Sequence, residues 1–107
     1  MNFQATQVTF HYDLSGVDAT CTSDGPTEGV DNSCGIHFHA GTSCETDEDV
    51  GGHYYSSAED PWVTEAFYDA EIGSVVVEYG YTYAETLGHV LVLHDVDGTR
   101  ITCDVVQ

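Results

Sequence analysis

At 107 residues the chain is one domain (1–107) with room for a modest core, and an apolar share of 41% with 7 Tyr, 4 Phe and 1 Trp excludes an acidic disordered chain. A formal net charge of -18, from 19 acidic residues against a single arginine, excludes nucleic acids and anionic membranes as partners and fits a solvated, even halophile-like, surface. No apolar run of about 18 residues is present, so no membrane insertion is expected. No leader pattern follows Met1, which reads as the start of an excised module.

The first patterned stretch is "QVTFHYDL". Val8, Phe10, Tyr12 and Leu14 alternate with polar residues, which predicts a strand buried on one face. Residues 20–33 are polar, rich in Gly, Pro, Asp and Ser, and read as a loop. In "GIHFHA", Ile36 and Phe38 point one way and His37 and His39 the other. Residues 41–60 form a second long loop, a length that points to function or to disorder. "VTEAFYDA" is read as a further strand. "SVVVEYGYTYAE" would place Val75, Val77, Tyr79, Tyr81 and Tyr83 on one face. "HVLVLH" is apolar on both faces, the mark of a central strand, and "RITCDVV" closes the chain. Turn residues separate these runs, including Gly51-Gly52 and Asp97-Gly98. No stretch has a helical period and no internal repeat is visible. The pattern predicts an all-β fold of short strands, a sandwich or Greek-key barrel.

Four cysteines, at 21, 34, 44 and 103, are an even number in a short chain and predict two disulfides, with three pairings open. The absence of a Cys-x-x-Cys pair argues against a zinc ribbon. The acidic stretches "DEDVGG" and "DVDG" lack the spacing of a calcium loop.

Six histidines exceed what a structural domain of this size needs. His37 and His39, two apart on a strand, share a face and can chelate one ion. His53 follows two glycines in the long loop, and His94 ends the apolar strand. Imidazoles without thiolate suit copper, zinc or iron. His11 lies on the polar face of its strand. His89 is five residues before His94, an odd offset that places the two on opposite faces.

Taken in order, "GIHFHAGTSC", "GGHYY", "LGHVLVLHD" and "TRITC" resemble the copper site of the Cu,Zn superoxide dismutases over roughly residues 34–104. The resemblance implies an immunoglobulin-like, superoxide dismutase-like Greek-key fold. It implies copper ligation by His37, His39, His53 and His94, with His53 as the redox-mobile ligand that carries a proton. It implies a Cys44–Cys103 disulfide, leaving Cys21–Cys34 as the second. It places Arg100 beside the copper to dock superoxide, so Arg100 and His53 would be the catalytic residues.

The departures from that family also carry information. Ile36 stands where an aromatic is usual. "YYSSAEDPW" after His53 holds no histidine, so the zinc ligands are missing. Five residues, "DVDGT", separate His94 from Arg100 and leave no room for a long electrostatic loop. The N-terminus is one or two strands short. The resemblance therefore implies the copper-only branch: one copper per module, no zinc, an extracellular setting, and sister repeats in a longer chain. Without zinc, the outer nitrogen of His53 needs a carboxylate. Asp60 is the first candidate, with Asp97 and Glu59 behind it. The runner-up function is copper sequestration without meaningful dismutase turnover.

Overall fold

The computed structural model describes all residues, 1–107. In chain order the elements are β1 (Asn2–Gln4), β2 (Gln7–Asp13), α1 (Ala19–Asp24), β3 (Ile36–His39), α2 (Asp47–Val50), α3 (Trp62–Glu65), β4 (Ile72–Glu78), α4 (Tyr83–Thr86), β5 (Val90–His94) and β6 (Arg100–Val105). The strands form two antiparallel three-stranded sheets, β1-β2-β4 and β3-β5-β6. The fold is all-β and sandwich-like. The two sheets stay separate and do not close into a barrel.

The main core lies between the sheets. Val8, Phe10 and Tyr12 of β2 and Val77 of β4 meet Ile36 and Phe38 of β3 and Leu93 of β5, with Trp62, Tyr68 and Tyr79 filling the gap. Burying each large apolar side chain contributes roughly 1.5–3 kcal/mol. The alternation of β2 delivers three residues to this core and turns His11 outward. β5 is central in its sheet and is covered on both faces. Its second face, Val90 and Val92, meets Val50 with Cys103 and Val105.

Register places the histidines. Ile36 pairs with Leu93, His37 with Val92, Phe38 with Leu91 and His39 with Val90. His37 and His39 therefore share the face of Val90 and Val92, away from the aromatic core. His94, one residue beyond inward-facing Leu93, turns to that same face. β5 and β6 then slip by a β-bulge at Leu93/His94, which sets Arg100 opposite His94. In an unbroken register the partner of His94 would be Ile101. Bulges re-aim side chains in this way.

Two disulfides pin the loops: Cys21–Cys34 across 13 residues and Cys44–Cys103 across 59. In the chain-entropy account they restrict the unfolded chain by about 3 and about 4 kcal/mol respectively. The second ties the loop of α2 to β6.

Several elements differ from the sequence expectation. "VTEAFYDA" is not a strand: its first residues belong to α3, and the stretch adds only an isolated bridge between Gly35 and Phe67. The run of Val75, Val77, Tyr79, Tyr81 and Tyr83 breaks after Glu78, where β4 ends. Gly80 adopts φ 89° and Thr82 caps α4. The capping box overrides the alternation there, because Thr82 and Glu85 satisfy each other's backbone N–H groups. The two long loops contain α1 and α2, each capped by a side chain, Asp18 and Thr46.

Candidate metal centre

β3 supplies two imidazoles from one face, and β5 supplies a third at its end. His37, His39 and His94 are 1%, 3% and 1% exposed, so water cannot satisfy their ring nitrogens. Nδ1 of His37 and Nε2 of both His39 and His94 are buried without any hydrogen-bond partner. Buried polar atoms are almost always paired, and three orphans in one place need an explanation. Ligand nitrogens of these three histidines lie within 4.8 Å of one another. With bonds of about 2 Å, two nitrogens across one ion stand about 4 Å apart, so small ring rotations suffice to close the set on an ion.

The opposite nitrogens are held. His39 Nδ1 donates to the Gly51 carbonyl at 2.9 Å, and His94 Nδ1 donates to the Gly98 carbonyl at 2.9 Å. A proton fixed on Nδ1 leaves the lone pair on Nε2, aimed at the cluster. Metal-binding histidines are typically oriented by such backbone bonds. Gly35 has a related role: a Cβ there would collide with Cε1 and Nε2 of His37, so glycine leaves the space that ring occupies. Gly41 is needed equally, since a Cβ would run into the backbone of Asp49 and Val50.

His53 arrives because its segment pairs with the free edge of β3. Tyr54 N–H donates to the Phe38 carbonyl, Ala40 N–H to the Gly52 carbonyl, and His39 and His53 form an isolated bridge. The ring of His53 stands 4.4 Å from that of His37 and 5.0 Å from that of His39, centroid to centroid. It is not one of the three in the tight group. His53 Nδ1 bonds Asp60 Oδ2 at 2.6 Å, and Asp60 Oδ1 accepts from the Trp62 backbone N–H at 2.9 Å. Both oxygens of Asp60 are thus used to fix His53. Asp97 and Glu59 are exposed and form no hydrogen bond or ion pair with His53, which bonds Asp60 instead.

Burial is the main electrostatic force in the cluster. It pushes the pKa of His37 down to about 2, helped by the neighbouring His53, His94 and His39 and weakly opposed by the Ala66 carbonyl. Burial lowers His39 to about 4 against the pull of its Gly51 bond, and lowers His94 against its Gly98 bond. Neutral imidazoles with free lone pairs are what a metal requires.

Arg100 stands at the mouth. With His39, His53, Asp60, Gly51 and Asn32 it lines a surface depression over the cluster. Its Nη1 donates to Asp47 Oδ1 at 2.8 Å, and its Nη2 reaches toward the Gly51 carbonyl at 3.5 Å, the same carbonyl that orients His39. The Asp47 side chain is 96% exposed, so this ion pair is worth at most about 1 kcal/mol.

His11 and His89 lie elsewhere. His11 is exposed on β2, and His89 stacks on Tyr54 and bonds the Ala40 carbonyl. Sequence reasoning could not see the carbonyls of Gly51 and Gly98, because any residue supplies a carbonyl. It also missed Asp47, one acid among many in an exposed helix. Comparison with family models, curated proteins and solved structures gave no match to this chain.

Proposed function

We propose that this chain is a copper-only superoxide dismutase module with a superoxide dismutase-like Greek-key sandwich. The observation that carries the reading is the set of three buried, unpartnered imidazole nitrogens converging beside His53 and under Arg100. An all-imidazole donor set suits copper in both oxidation states better than it suits hard cations. Copper, when bound, supplies the alternating one-electron uptake and release by which two superoxide ions and two protons become dioxygen and hydrogen peroxide.

The chain's own residues account for the rest. Arg100, the one arginine in a chain of net charge -18, gives an anion a local attraction at the mouth. Asp60 keeps the proton of His53 on Nδ1, which leaves Nε2 as the basic nitrogen that takes up and delivers a proton. Asp60 also occupies the side of His53 where a second metal would sit, consistent with a zinc-free site. The paired cysteines fit an oxidising, extracellular compartment.

Metal analysis and superoxide kinetics test this reading. Loaded with copper and zinc together, the protein retains about one copper and no dialysis-resistant zinc, because the zinc donor set is incomplete. Rapid superoxide decay on the copper-loaded protein then separates a dismutase from a copper store. Copper sequestration is the second reading, favoured by the tie between Arg100 and Asp47. A bound copper with no catalytic superoxide decay would establish that second reading.

A further inference from the structure

The histidine cluster has a second connection to the surface, through the core. The ring of Trp62, 1% exposed, meets His37 edge-on at 6.0 Å between centroids. Tyr79, 0% exposed, lies 5.3 Å from Trp62. Tyr54 and Tyr81 each stand 6.4 Å from Tyr79. These last two are half-buried and stack in parallel, 4.1 Å apart at 7°. No step in the run exceeds 6.4 Å, and neither Tyr54 nor Tyr81 lines the Arg100 depression.

Proton chemistry gives the run a direction. An oxidised phenol must lose its proton to hold the radical. The Tyr79 hydroxyl is hydrogen-bonded to Thr86 Oγ1 at 2.5 Å, and Thr86 itself donates to the Thr82 carbonyl, so no base is at hand. Trp62 Nε1 is tied to the Tyr54 carbonyl at 2.8 Å, which also cannot take a proton. The Tyr81 hydroxyl makes no hydrogen bond within the protein and is not buried, so its proton passes to water. An oxidising equivalent therefore moves on from Trp62 and Tyr79 and comes to rest on the Tyr81–Tyr54 pair.

We propose that Trp62, Tyr79 and the Tyr54–Tyr81 pair form an electron relay that makes this pair a second reaction site, for one-electron donors of the small phenol or hydroquinone class. The proposal rests on the copper reading of the cluster, where the hydrogen peroxide formed by dismutation is the oxidant. One hydrogen peroxide takes up two electrons and two protons there and becomes two water molecules. Each electron enters from a donor molecule at the tyrosine pair, and the donor leaves as a radical after releasing one proton to water. Electron tunnelling falls exponentially with distance, so several short hops between rings outpace a single long one. The relay would also spare the histidines, which otherwise take the damage when peroxide reacts at their metal.

Two arms test the relay. In the metal-free protein, Trp62, the chain's one tryptophan, is oxidised selectively by flash excitation with an electron acceptor. The indolyl radical signal should decay as a tyrosyl signal grows, at a rate independent of protein concentration. Tyr79→Phe should slow that conversion several-fold, and the double variant Tyr54→Phe with Tyr81→Phe should abolish the lasting tyrosyl signal. Decay of the indolyl radical without tyrosyl growth would overturn the relay, whatever the metal does. In the copper-loaded protein given hydrogen peroxide, peptide mass spectrometry should find oxidation at Tyr54 and Tyr81, shifting to His37, His39 or His94 in Trp62→Phe. Histidine oxidation alone in both forms would overturn it too. Failure to load copper sinks the copper reading and the peroxide chemistry built on it, while the first arm still decides whether the rings conduct.

Discussion

The two faces of β3 are equally buried and chemically opposite. Ile36 and Phe38 are 3% and 0% exposed, and His37 and His39 are 1% and 3% exposed. The inner face is complete by itself: Phe38 meets the rings of Phe10, Trp62 and Tyr79. The outer face is incomplete, because each of its imidazoles keeps a nitrogen that nothing in the protein satisfies. Burial alone therefore does not separate core from site. An unpaired lone pair inside the protein does.

The largest effect expected from breaking this comparison is on the inner face. Phe38→Ala should destabilise the fold by about 3–5 kcal/mol, measured by denaturant unfolding of the metal-free protein. His37→Ala should act the other way round. It removes an unpartnered buried group, so the metal-free fold loses far less than in Phe38→Ala, while copper affinity falls by more than about 100-fold. Copper titration beside unfolding curves reads both. Equal stability losses in the two variants would show that the outer face is ordinary core.

Acid sharpens the same contrast. The folded-state pKa of His37 is about 2 and that of His39 about 4, against 6.5 for an unperturbed histidine. Below about pH 6.5 the unfolded chain takes up protons that the folded histidines refuse, so stability falls with falling pH. The stability these groups contribute is present above pH 6.5 and is lost as pH drops toward about 4 and then about 2. Bound copper holds the imidazoles neutral, so copper loading should move the acid limb of the pH–stability curve to lower pH. An acid limb unchanged by copper in thermal melts would count against the ligand set.

Smaller changes should follow at the margin of the cluster. Asp60→Asn should reduce copper affinity by about 10–100-fold, the usual range when a residue orienting a metal-bound histidine is lost. His53→Ala should weaken Cu(I) binding less than His37→Ala, since His53 is outside the tight group. The opposite order in a Cu(I) competition titration would refute a redox-mobile role for His53. The smallest effect belongs to Arg100→Ala: a several-fold lower superoxide rate with copper retained. Salt should leave the wild-type rate flat or raise it, because screening over about 8 Å weakens the distant acids more than one nearby arginine. A rate that falls steeply with salt, or is unchanged in Arg100→Ala, would reduce Arg100 to the partner of Asp47.

What the sequence revealed tracked period. β2, β3, β5 and β6 were legible because two-residue alternation, or an apolar run between turns, is written along each. The helices have four to six residues, about one turn, too short for a 3.6-residue period to show. Their caps were the available signal: Thr82 with Glu85 is a capping box in plain sequence, yet the tyrosine alternation around it looked stronger. β1 has three residues, below any periodic test. At the site, the histidines and Asp60 were visible as side chains with donor chemistry. The hydrogen bonds that fix their tautomers come from carbonyls, which sequence does not distinguish. The place of Arg100 depends on register, which sequence specifies but does not display.

That register gives position 101 an unusual status. Ile101 is 42% exposed, so many side chains could stand there. The ladder passes it over, since Thr102 pairs with Leu93 and Arg100 with His94. Evolution can rewrite the letter at this position and can even drop it: with residue 101 deleted, the unbroken register would itself set the arginine opposite His94.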